Sequence, residues 1–346
     1  MIKYGNIFIK NIYYMLAYAF TNLKFDEMKN FSAEEFENIH NLFAAILSKG
    51  IGRQLKRGLY REYINCSENL STLRGKIEMN GTIKNLTSGQ RKIFCSYDEL
   101  SENNLLNQIL KTTAIFLLRH KDVDEKYKVA LKKEILFFSG IEKISPTSID
   151  WNKIHFSKNN QSYRILINVC RLILNGMIFS TDAGEYKLKS FLDEKELSWL
   201  YEKFLLAYYQ KHFPQIKTST TRISWALDDD FKNLLPTMQT DVTLSQGEKI
   251  LIIDAKFYSR TTQKKFNSQK IHSGNLYQIF TYVKNLAHNS DKKISGMLLY
   301  ARTDEKIQPD CVYQMSGNKI SVKTLDLNKN FSEIAAQLNL IADEHF

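Results

Sequence analysis

The chain has 346 residues, room for two ordinary domains, and 43% hydrophobic with 25% charged residues marks a globular protein, not a disordered one. Lysine and arginine outnumber aspartate and glutamate by 48 to 37, and this surplus of +11 favours polyanions through counterion release without identifying one. Four dispersed cysteines with no CxxC pair, and seven histidines with no HExxH, argue against a disulfide framework and against the common zinc sites.

Near the start, NIYYMLAYAF is apolar in part but lacks the pattern of a signal peptide. The apolar stretch 164–179 is interrupted by Asn168, Arg171 and Asn175 and is too short and polar to span a bilayer. A soluble, cytoplasmic protein is expected.

In chain order, apolar spacing predicts helices over 11–23 and 33–55. Segment 70–86, with Arg74-Gly75-Lys76 and Asn80-Gly81, reads as strands joined by tight turns, because Asn-Gly supplies the positive φ of a type I′ hairpin. Helices resume over 103–120, 127–138 and 162–179. Residues 1–190 thus read as a mostly helical N-terminal domain with a β-hairpin. A strong helix follows over 192–211, with Leu197, Leu200, Tyr201, Phe204, Leu205 and Tyr208 on one stripe. Strands are expected over 216–225, 238–244 and 249–258, then a helix over 276–286 and a strand over 294–301. The fold class is therefore α/β (α+β), with residues 191–346 in the element order of a restriction-endonuclease-like PD-(D/E)xK core. Other folds share that order, so chemistry has to decide.

Asp254 and Lys256 lie in KILIIDAKFY, an aliphatic, β-branched strand. Residues i and i+2 of a strand share a face, so both side chains reach one site. Asp241 ends the preceding strand, and neighbouring strands lie ~4.8 Å apart. Two carboxylates so presented suit Mg²⁺, a hard cation that keeps several waters and binds phosphate as well. Lys256 could then stabilise charge on a phosphoryl transition state. The bland alternative is a buried Asp254–Lys256 salt bridge. Five other acid-x-Lys triplets, such as Asp291-x-Lys293 and Asp304-x-Lys306, sit in polar segments and read as surface charge.

Gln278 and Tyr282, i and i+4 on the predicted crossover helix, share a face, and Gln-x-x-x-Tyr after Asp-x-Lys is the pattern of RecB-like nucleases. Glu202 could add a carboxylate on the metal side or orient Lys256; a solvated helix residue is the alternative. The loop SRTTQKKFNSQKIH carries Arg260, Lys264, Lys265 and Lys270, suited to a phosphate backbone, or to an ordinary basic surface. No GxxxxGK[ST] occurs, so nothing here cradles a nucleotide, and no base-reading module is recognisable. Target choice is expected to lie in another chain.

NIYYMLAYAF, RGLYREY, LRGKIE, LLPTMQTDVTL, EKILIIDAKFY and NLYQIFTYV together resemble the McrC family, the nuclease subunits of McrBC modification-dependent restriction systems. The resemblance runs over nearly the whole chain and puts the family's catalytic triplet on Asp241, Asp254 and Lys256. It implies an AAA+ partner, a hexamer of the McrB type that hydrolyses GTP, recognises 5-methylcytosine in double-stranded DNA and translocates before cleavage. It also implies that the N-terminal domain docks in the partner's pore and stimulates its GTPase. Within that frame Arg74 and Lys76 of the expected hairpin are the candidate docking residues. One departure is Thr240, where the motif has proline before the first aspartate. A stand-alone RecB-like repair nuclease and a non-catalytic activator of a partner GTPase are the rival readings.

Overall fold

A computed structural model describes residues 3–4, 7–19, 36, 38–180, 186–188, 194–229, 231–258, 262–265 and 268–346. In chain order the first elements are β1 (Lys3–Tyr4), β2 (Ile7–Phe8), α1 (Ile9–Ala19), α2 (Ile39–Arg57), β3 (Glu62–Leu70), β4 (Lys76–Ile77), α3 (Met79–Thr87) and β5 (Ile93–Ser101). Then come α4 (Leu105–Arg119), α5 (Glu125–Ile135), α6 (Arg164–Met177), β6 (Ile178–Ser180), β7 (Tyr186–Leu188) and α7 (Glu194–His212). The remainder is strand-rich: β8 (Lys217–Ser219), β9 (Arg222–Ile223), β10 (Met238–Gln239), β11 (Val242–Gln246), β12 (Lys249–Lys256), β13 (Thr262–Lys265) and β14 (Ser268–Ile271). It closes with α8 (Ser273–His288), β15 (Lys293–Ala301), β16 (Cys311–Met315), β17 (Asn318–Leu325) and α9 (Phe331–Asp343). The protein is a mixed α/β protein, as expected, and none of the described helices is long and apolar enough to cross a membrane.

The chain forms two compact units, one of residues 1–42 with 175–346 and the other of 43–174. The division expected at residue 190 is corrected at both ends. The reason is the apolar face of α1, which is covered by side chains more than 180 residues away. Tyr18 packs its ring against Phe204 and Tyr208 of α7, Tyr14 stacks on Phe331, and Asn11 donates to the carbonyls of Leu327 and Lys329.

In the 43–174 unit, β3 pairs antiparallel with β5 from Glu62↔Ser101 to Leu70↔Ile93. Here the hairpin reading of 70–86 is corrected. Gly75, at φ +69°, does turn the chain into β4, but Asn80-Gly81 lies inside α3. Gly81 is there for proximity, since a Cβ would come within 2.5 Å of the Phe94 ring. The long hairpin is β3/β5, and segment 70–86 runs from the end of β3 through most of the connection.

The other unit is built on a six-stranded sheet in the order β16-β17-β15-β12-β11-β8. Strands β12, β15 and β17 are mutually parallel, and β8, β11 and β16 pair antiparallel with their neighbours. Side chains alternate between its faces. Ile252, Leu298, Tyr300, Ile320 and Val322 pack under Ile279, Tyr282 and Val283 of α8. On the opposite face Phe257 meets Tyr201 of α7, with ring centroids 6.2 Å apart. Two expected strands are each broken in two. Residues 216–225 give β8 and β9, 238–244 give β10 and β11, and β9 pairs with β10 outside the main sheet. Thr240 makes the break: its N–H donates to Thr221 O, its hydroxyl accepts from Thr221 N at 2.9 Å, and it meets the Thr243 hydroxyl at 2.8 Å.

Candidate active site

That bend delivers Asp241. Val242 pairs with Ile253, so the next step of the antiparallel register sets Asp241 opposite Asp254. Asp241 Oδ2 accepts the N–H of Ala255 at 2.8 Å, which ties the bend to β12. Asp254 and Lys256 follow Ile252 on the α8 face, and Asp254 is only 2% exposed.

Lys256 Nζ lies 2.7 Å from Asp254 Oδ2 and donates to Gln278 Oε1 at 3.0 Å. Gln278 Nε2 in turn donates to the Tyr282 hydroxyl at 2.9 Å. The Gln-x-x-x-Tyr face of α8 therefore grips the lysine, as a shared helical face allows. An ammonium has three donors; Gln278 takes one and Asp254 balances the charge as an ion pair, so N–H capacity remains for an incoming oxygen.

Burial pushes the Asp254 carboxyl up to about 6, with Asp241 adding to the rise and Lys256 opposing it. Asp241 is raised by burial against the Ala255 N–H, Lys256 and Lys203. Glu202, on α7, is pushed up to about 7 by burial and by the charge of Asp241. Burial alone would lower Lys256, but the neighbouring Asp254 carboxylate outweighs it and the ammonium is held charged. Burial is the main cause for all three carboxyls, with Asp241 adding to the rise at Asp254 and Glu202, and a bound cation would relieve both influences.

Asp254 Oδ2, buried and without a well-angled hydrogen bond, has acceptor capacity left for such an ion. Among the described residues, Glu202, Asp241 and Asp254 do not all bring an oxygen within 4.8 Å of one another. The two strand aspartates, opposite one another in register, are the carboxylates placed to share a divalent cation, and Glu202 stands beside Asp241. Glu202 and Asp241 line a cleft of about 260 Å³ with Lys203, Leu206, Thr220, Gln239 and Thr240.

Other expected residues fall as follows. Lys264 and Lys265 are on β13 and an exposed Lys270 on β14, an antiparallel pair outside the six-stranded sheet; Arg260 lies outside the described residues. Arg74 and Lys76 are in the 43–174 unit. Arg74 places its guanidinium 3.9 Å over the Tyr97 ring and 3.3 Å from Glu99, and Lys76 pairs with Glu78. Asp291, Lys293, Asp304 and Lys306 are exposed, as surface charge should be. Lys203 and Thr240 were missed as site residues; a helix-surface lysine and a strand threonine carry no signal until the fold puts them beside Asp241.

Fold and site together define a mixed α/β protein with a carboxylate–lysine centre on its central sheet. Residues 6–301 match the family described as McrBC 5-methylcytosine restriction system component, and the chain belongs to that family. It is 30% identical over 341 residues to the type IV methyl-directed restriction enzyme EcoKMcrBC of Escherichia coli (strain K12), with 97% of each chain covered. Its fold is similar, at TM-score 0.52 and 19% identity, to a chain of the half-complex from a tetradecameric assembly of Thermococcus gammatolerans McrB AAA+ hexamers with bound McrC. That match covers 96% of this chain and 76% of the other.

Proposed function

We propose that this chain is the DNA-cutting subunit of a modification-dependent restriction system, hydrolysing phosphodiesters with Mg²⁺. The observation that carries this is one constellation: Asp241 opposite Asp254, with Lys256 held between Asp254 and Gln278. A bare salt bridge needs neither the second strand-borne aspartate nor the Gln278–Tyr282 grip.

Asp241 and Asp254 would hold the Mg²⁺, which when bound polarises the phosphodiester and makes a water nucleophile available near neutral pH. Lys256 directs its uncommitted N–H to a phosphoryl oxygen and stabilises the charge that develops there. Gln278 and Tyr282 keep that amino group in place, so no reorganisation is needed at the moment of reaction. A carboxylate held near pH 7, as Glu202 is, suits proton exchange with water at physiological pH. The β13–β14 pair with its lysines, and Arg260 beside it in sequence, supplies charge for the phosphate backbone.

The chain has no phosphate-binding loop, so GTP hydrolysis and recognition of methylated cytosine fall to an AAA+ GTPase ring of the McrB kind. Family membership and the hexamers of the similar assembly support this partner. The test is cleavage of methylated duplex DNA by the full chain with its AAA+ partner, GTP and Mg²⁺. Lys256→Ala and Asp254→Ala should abolish cutting while GTP hydrolysis continues. Residual cutting above about a tenth of the wild-type rate, only ~1.4 kcal/mol of barrier, sinks the assignment.

A further inference from the structure

One polar side chain beside Lys256 has no part in the constellation above. Tyr258 follows Lys256 by two positions and lies on the same side of β12, against residues of α8 and β15. Its ring centroid is 5.7 Å from that of His272 and 6.4 Å from that of Tyr300. Its hydroxyl donates to Asn275 Oδ1 at 3.4 Å, and Asn275 Nδ2 donates to the Tyr300 hydroxyl at 2.9 Å. Tyr300 is the register partner of Lys256 across β12 and β15.

Asn275 stands three residues before Gln278, on the same face of α8. That face thus carries two side-chain amides, one gripping Lys256 and the other joining Tyr258 to Tyr300. The two tyrosines sharing Asn275 differ in exposure. Tyr300 is fully buried at 0%, a core residue with a satisfied tip, whereas Tyr258 is 37% exposed. A tethered, open aromatic ring next to the group that meets the phosphate is suited to a deoxyribose or a base, both of which present flat or apolar surface.

We propose that Tyr258 is a substrate-contacting residue that lays its ring against the DNA strand beside the phosphate addressed by Lys256, with Asn275 as the positioning residue that holds it there. This rests on reading the same site as DNA-cutting, and the experiment separates the two.

Affinity for a short labelled DNA duplex is measured by fluorescence anisotropy with the full chain in Ca²⁺, and each variant is checked for folding by thermal melting. Tyr258→Ala should weaken binding about tenfold, as loss of one aromatic contact to DNA does. Tyr258→Phe and Asn275→Ala should each weaken it about threefold, and the double variant should be no weaker than either single, because both remove the same hydrogen bond. If Tyr258→Ala fails to fold, the two milder variants and their double carry the test. Affinity within about twofold of wild type for the folded Tyr258 variants, or losses that multiply in the double variant, overturns the proposal. Lys256→Ala, scored separately for cleavage with partner, GTP and Mg²⁺, reports on the underlying reading. If that variant still cuts DNA the reading of the site fails, whatever Tyr258 does.

Discussion

Asp254 is held by opposing influences, and the way they add up dictates how it responds to change. Its burial is unfavourable for a carboxylate, and Lys256 is the neighbour that offsets it. Asp254→Asn leaves the Lys256 ammonium buried without its counter-charge, so this variant should melt lower than wild type as well as fail to cut. Glu202 allows a cleaner experiment. Its folded-state pKa is raised from the ordinary 4.5 to about 7, so the folded protein binds the extra proton. The stability this contributes is fully present below pH ~4.5 and is lost as the pH rises through about 7. Without metal, Glu202→Gln should therefore leave melting unchanged at pH 4.5 and raise it at pH 8. The gain, discounted for a partly exposed group, is about 1–2 kcal/mol. Melting curves at the two pH values with EDTA check this, and equal shifts at both would refute it. Adding Mg²⁺ at pH 8 should stabilise the wild type. In cleavage assays Mn²⁺ should replace Mg²⁺, whereas the larger Ca²⁺, with its looser geometry, should not support cutting.

At the scale of elements, the break between β10 and β11 matters most. A continuous strand over 238–244 would still pair with β12, but the Thr240 bend, fastened to Thr221 and Thr243, is what fixes the backbone just before Asp241. Thr240 is buried, and Thr240→Val keeps its shape while orphaning the Thr221 N–H, a loss of about 1–3 kcal/mol. Melting should fall by that amount, and DNA cleavage should fall further than melting does, because Asp241 loses its support. Cleavage at the wild-type rate in a folded Thr240→Val protein would show that the bend does not position the aspartate. The strand character of KILIIDAK and the shared face of Gln278 and Tyr282 were legible in the sequence, because period-2 and i, i+4 geometry are local properties. The bend was not, since a threonine becomes a fastener only when a second threonine from another strand arrives. Asn80-Gly81 misled for a related reason: the dipeptide permits a turn, but Gly81 is selected by the Phe94 ring packed on it.

At the scale of the molecule, the two units divide the proposed work. Arg74 and Lys76 sit in the 43–174 unit and the acidic centre in the other. The double variant Arg74→Ala/Lys76→Ala should weaken partner binding or GTPase stimulation, while Asp254→Ala leaves both intact and removes only cutting. A GTPase titration with each variant decides, and wild-type stimulation by the double variant would remove these two residues from the docking role. A second expectation follows from the path of the chain. Deleting residues 1–42 uncovers Phe204, Tyr208 and Phe331, so the unit holding Asp254 should melt lower or aggregate, although neither Asp241, Asp254 nor Lys256 is removed. Cleavage retained at wild-type stability after that deletion would contradict the packing. The sequence by itself determined the α/β class, the strand that carries Asp254 and Lys256, the helix that grips Lys256 and the family, because each is written in short periodic motifs or in their order along the chain. Only the tertiary structure decided that residues 1–42 belong with 175–346, that Asp241 faces Asp254 across a bend, and that Tyr258 stands tethered beside Lys256. Those depend on which apolar faces find each other across long separations, and no local pattern encodes the partner of a face.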